Sequence, residues 1–145
     1  MAPKEVAEII WAHGHHNIQA IHPTTLMFTK EKQISETGDC IVAVAADKAT
    51  ADLTPEFKNT MKEPNAKLKI IIEAGEAAEQ IIAYGSPKLA LTNVVDIVIR
   101  KSEFTSDRTL AIKADKSSKD LTREFIDKLR NSKQTVKITL IASTI

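Results

Sequence analysis

Residues 46–57 read ADKATADLTPEF and residues 114–125 read ADKSSKDLTREF, an offset of 68 positions. The offset pairs Asp47 with Asp115, Lys48 with Lys116, Leu53 with Leu121, Thr54 with Thr122 and Phe57 with Phe125. It runs on without a gap, setting Leu68, Ile70, Ile72 and Ala74 opposite Val136, Ile138, Leu140 and Ala142. Alternate apolar positions have the period of a strand with one buried face. Upstream, Val42 and Val44 meet Leu110 and Ile112, and after a small shift Ala12-His13-Gly14 meets Ala83-Tyr84-Gly85. A repeat this long with matching apolar parity points to one unit used twice.

Each unit reads β-β-β-α-β. In the first, strands are expected at about Val6–His13, Asn17–Thr29, Cys40–Ala46 and Lys67–Ala74. In the second they are expected at about Ala78–Tyr84, Leu89–Arg100, Thr109–Ala114 and Thr135–Ser143. Gly75-Glu76 marks a hairpin between the units. Thr54 offers a capping hydroxyl before Pro55 at the first helical position, and Thr122 is placed identically. Leu53, Phe57 and Met61, like Leu121, Phe125 and Leu129, make an apolar stripe. The fold class expected is mainly β (β-rich α+β), a jelly-roll-like antiparallel two-sheet sandwich or flattened barrel covered by two short helices. One domain spans 1–145, with repeats at about 5–74 and 77–143.

Bulk properties narrow the function classes. A formal net charge of +1 gives no global pull toward nucleic acid or membrane. Trp11, Tyr84 and four Phe are too few for the basic-and-aromatic stripe of a single-strand binder. Apolar runs such as Ile41–Ala46 have the length of strands, not of membrane spans, and Met1 to Val6 lacks the apolar core of a signal peptide. The single Cys40 permits no internal disulfide and fits a reducing cytoplasm, which is the expected location.

The duplication supplies a filter, because a feature present in one copy only is a better site candidate than a feature of both. All four histidines fall between His13 and His22. Imidazoles ligate metals and move protons. His13 and His15 are two apart, so on an extended chain they would share a face, and with His22 they form a candidate divalent-metal set. His22 has the parity of Ala20, Leu26 and Phe28, and is expected to point inward. Candidate ligand-binding residues are His15, Asn17, His22, Thr24 and Asp39. Cys40 with His22 and Asp39 offers a conceivable nucleophilic set, but the parity of Cys40 with Val42 and Val44 reads as a small buried thiol. Lys48, Lys116 and Arg108 are candidate anion-binding residues. The two lysines recur in both copies, which favours a structural role.

Taken together, Gly14-His15, Asn17, His22, Thr24-Thr25, Gly38-Asp39-Cys40-Ile41 and Ala46-Asp47-Lys48 resemble the "domain of unknown function 371" family. In the second half Gly85-Ser86-Pro87, Arg100-Lys101-Ser102, Asp107-Arg108-Thr109-Leu110 and Ala114-Asp115-Lys116 carry the same resemblance. It implies a mainly β fold, an archaeal source and no assigned reaction, and it singles out His15, Asn17 and His22. His16 departs from it, standing where the family has proline. The expected function is binding of a small ligand or protein partner near the histidine-rich segment. A metal-dependent enzyme, a homo-oligomeric interaction protein and a nucleic-acid-associated protein are the other readings. Net charge does not support the last.

Overall fold

Burial of every second side chain builds the first sheet. In the computed structural model, which describes residues 3–144, the strands are β1 (Lys4–His13), β4 (Lys67–Ala74), β5 (Ala77–Tyr84) and β8 (Thr135–Thr144). They pair antiparallel in the order β1-β8-β4-β5. Leu68, Ile70, Ile72 and Ala74 lie directly opposite Ala142, Leu140, Ile138 and Val136. The two strands matched by the sequence offset are therefore neighbours at the centre of the sheet, and their inward side chains are fully buried. Gly75 opens the β4–β5 hairpin with φ +63°, the positive value that a Gly-first two-residue turn requires.

The second sheet holds β2 (Thr25–Thr29), β3 (Ile41–Ala43), β6 (Asp96–Arg100) and β7 (Thr109–Ala111), in the order β3-β2-β6-β7. Its central pair is antiparallel, whereas β2·β3 and β6·β7 are parallel. The antiparallel expectation thus holds for the first sheet and, in the second, for the central pair alone, one of its three. The loops after Thr29 and Arg100 return the chain to the start of its neighbour, which a parallel pair needs.

β2 and β6 are shorter than the apolar pattern suggests. Ala20 (φ 51°) and Leu91 (φ 56°) adopt the left-handed region and interrupt the extended chain before each strand. Ala45 and Lys113, at φ 52° and 55°, do the same after β3 and β7. The same element order and the same strained positions thus occur in both halves.

Two corners join the sheets. His13 bridges Val44 and Tyr84 bridges Ile112, each an isolated antiparallel bridge. Beside them, Asp47 accepts the Trp11 N–H and Asp115 the Ile82 N–H, both at 3.0 Å. The result is a two-sheet sandwich pinned at opposite corners and not closed into a barrel.

Helices α1 (Pro55–Met61) and α2 (Arg123–Leu129) begin as their sequences dictate. The Thr54 and Thr122 hydroxyls accept the Phe57 and Phe125 N–H groups, and Pro55 opens α1. Phe57, Met61, Phe125 and Leu129 are buried in the core between the sheets. Gly14 and Gly85 pass so close to the helix ends that an added Cβ would run into the carbonyls of Leu129 and Met61 respectively. Each half therefore seats a helix on the glycine of the other. No helix among the described residues is long and apolar enough to cross a membrane.

Candidate functional site

The histidine-rich segment leaves β1 at His13 and divides into two environments. His13, Gly14, His15 and His16 line a groove of about 610 Å³ with Lys32, Gln33, Val44, Ala45 and Ser132. His22, Thr24 and Asp39 are not part of its lining.

Inside the groove, His15 is a buried ring with both nitrogens engaged. Its Nδ1 accepts the Asn17 N–H at 3.0 Å, which leaves the proton on Nε2 to donate to Gln33 Oε1 at 3.2 Å. The Asn17 side-chain amide donates to the Ile34 carbonyl at 2.8 Å. His15 and Asn17 therefore pin the loop that carries Lys32 and Gln33 over the groove. The exposed His16 ring stacks on His15, with centroids 4.5 Å apart. His13 is exposed where β1 ends, while His15 beyond Gly14 is buried, so they do not share a face.

His22 Nδ1 accepts the N–H groups of Thr24 and Thr25, both at 3.1 Å, and holds the turn that leads into β2. The turn breaks strand parity, so His22 does not enter the core. The Asp39 carbonyl accepts the N–H groups of Ile21 and His22, which brings the two residues together through backbone rather than side chains. No group of three or more His, Cys, Asp or Glu among the described residues is placed to hold a metal ion, so His13, His15 and His22 do not meet as a ligand set. Burial, reinforced by the Asp39 charge, pushes the half-buried Cys40 thiol up, away from a reactive thiolate.

The second half fills the same roles without histidine. Ser86 Oγ accepts the Lys88 N–H as His15 Nδ1 accepts that of Asn17. Asn93 Oδ1 accepts the N–H groups of Val95 and Asp96 as His22 Nδ1 accepts those of Thr24 and Thr25. The Thr50 and Ser118 hydroxyls then donate to the carbonyls of Asp96 and Thr25 at the bases of these turns. Absence of histidine from one copy does not free it from a structural task, because Ser or Asn accepts the same hydrogen bonds. His16, Lys32, Gln33 and Ser132 have no such counterpart role and distinguish the groove.

Residues 10–143 match the family described as "domain of unknown function 371". The chain belongs to this family. It is also 43% identical, over 88% of its length and 94% of the relative's, to an uncharacterised protein of Methanocaldococcus jannaschii.

In this member of the domain of unknown function 371 family, sequence reasoning missed two buried carboxylates. Glu8 and Glu79 face inward at the apolar parity of Ile10 and Ile81. Lys48 Nζ lies 2.9 Å from Glu8 and Lys116 Nζ 3.0 Å from Glu79. The second carboxylate oxygen of each accepts the N–H of Thr54 or Thr122, the helix N-caps, at 2.6 and 2.8 Å. Burial pushes each carboxyl up, but the backbone bond and the lysine together outweigh it and hold both below the usual range. The lysines read as anion-binding candidates are thus occupied by carboxylates of the chain itself. Arg108 likewise pairs with Asp96 at 3.1 Å. The signal was present in the sequence, as a charged residue at a strand position whose parity is apolar.

Proposed function

We propose that the groove at the end of β1 binds a small anionic ligand carrying a carboxylate or phosphate group. One observation carries the reading: none of the nine lining residues is Asp or Glu, while Lys32, His13, His16, Gln33 and Ser132 are all potential donors. The volume suits a small molecule. His15 supports the site from behind. By occupying Gln33 Oε1 it leaves the Gln33 amide N–H groups to an incoming acceptor. Val44 and Ala45 supply an apolar wall against which a carbon skeleton can rest.

Thermal-shift and calorimetric titration with inorganic phosphate, pyrophosphate and succinate tests the proposal. At least one anion is expected to stabilise the protein beyond chloride of equal ionic strength. Lys32→Ala should weaken that binding by about tenfold, as loss of a charge-assisted hydrogen bond does. Stabilisation no greater than that by chloride, or equal binding by Lys32→Ala, would overturn it.

A further inference from the structure

The outer face of the β1-β8-β4-β5 sheet carries no covering element among the described residues. Its outward row Ile9–Thr139–Ile71–Gln80 runs across all four strands in one register. Trp11 is 49% and Ile9 41% exposed, two large apolar side chains side by side on this face.

We propose that this face docks onto the same face of a second copy, related by a two-fold axis lying along the Ile9–Thr139–Ile71–Gln80 row. Such an axis maps each strand onto its own counterpart, running the opposite way. On β1 it sets Trp11 over the small Ala7, and on β5 it sets Ile82 over Ala78. On β4 it sets Lys69 over Glu73, and by symmetry Glu73 over Lys69, giving two reciprocal ion pairs beside the axis. Ile9 meets Ile9 and Ile71 meets Ile71. On β1, β5 and β4 large residues meet small ones or opposite charges meet, and the central isoleucines leave water together. On β8 the axis sets Lys137 over Ile141, so there the ammonium must lean aside.

An axis along the strands would instead lay Ile9 on Gln80 and Ile71 on Thr139, with fewer apolar contacts. Lys137 is already drawn sideways, its ammonium 5.7 Å from the centre of the Trp11 ring. Twisted sheets pack face to face at about −30°, which keeps these central rows in contact while the corners diverge. Four strands of this length present about 500 Å² per copy, or about 1,000 Å² in total. That is the lower end of what a specific interface buries, so the dimer should dissociate on dilution.

Analytical ultracentrifugation over a wide dilution series, with Trp11 fluorescence as the local reporter, tests this on the full chain. The wild type should show a monomer–dimer equilibrium, with Trp11 emission shifting to the blue as dimer forms. Glu73→Lys sets like charges opposite each other twice and should weaken the dimer by at least about tenfold. The double exchange Lys69→Glu with Glu73→Lys should restore it, and circular dichroism should show every variant folded. A monomer at all concentrations overturns the proposal and leaves the face to an occupant of other chemistry. A dimer indifferent to Glu73→Lys, or rescued by Lys137→Glu in place of Lys69→Glu, also overturns it.

Discussion

Replacing His22 tests whether the histidine-rich segment is structural at that point. His22 Nδ1 accepts two backbone N–H groups, and Asn93 Oδ1 does the same job in the other half. His22→Ala leaves the N–H groups of Thr24 and Thr25 to water. Thr24 is exposed, so water can reach its N–H, while the half-buried Thr25 is less well served. The loss resembles removal of a helix cap, at about 1 kcal/mol. For a chain of this size that lowers Tm by about 2–4 °C. His22→Asn should recover most of the loss, because a side-chain carbonyl can reach the same two donors, as Asn93 does. Asn93→Ala should cost at least as much as His22→Ala, since Asn93 also donates to Asp107 at 3.2 Å. Urea unfolding at neutral pH measures all three, with an unchanged slope showing that only stability has moved. If His22→Asn is as damaging as His22→Ala, or if neither changes the midpoint, the equivalence of the two turns is refuted.

Acid and glycine provide two further tests. Glu8 and Glu79 are held below their ordinary value of 4.5, and Asp120, beside Lys101, is lowered from 3.8 to about 2. A lowered folded value means the stabilisation is whole above the ordinary range and is lost as pH falls through the folded values. Stability should therefore stay level down to about pH 5 and decline steeply below it. Glu8→Gln should make that decline shallower in unfolding titrations, and an unchanged slope would show that Glu8 contributes nothing to it. Gly14→Ala and Gly85→Ala should each destabilise by about 2 kcal/mol or more, because the clash is with backbone and not with a movable side chain. A Tm within a degree or so of wild type for either would contradict the close approach.

The parts legible in the sequence are those that local pattern determines. Lys67–Ala74 matches the expectation residue for residue, because Leu68, Ile70, Ile72 and Ala74 recur at every second position and a Gly-Glu turn ends it. Thr54-Pro55 and Thr122 marked both helix starts for the same local reason. Pattern could not show where β2 and β6 begin, since left-handed Ala20 and Leu91 are not residues that advertise a turn. Nor could it show parallel pairing, which is a choice of neighbour and not of conformation. The groove was half visible. His13 and His15 were singled out, but Lys32, Gln33 and Ser132 come from distant segments and nothing local links them. Strand parity does not carry across the turn that His22 holds, so Leu26 and Phe28 do not fix its direction.

β1 and β8 lie side by side with Lys4 opposite Thr144, much as β4 and β5 do across the Gly75-Glu76 hairpin. Topologically the molecule is a ring that has been cut at one of two near-equivalent places. A short loop joining Thr144 to Lys4, with the chain opened between Gly75 and Glu76, would keep every strand neighbour and every interlocked helix while exchanging which half is made first. The order of synthesis is therefore separable from the architecture, and a permuted chain of this kind should reach the same sandwich by a different route.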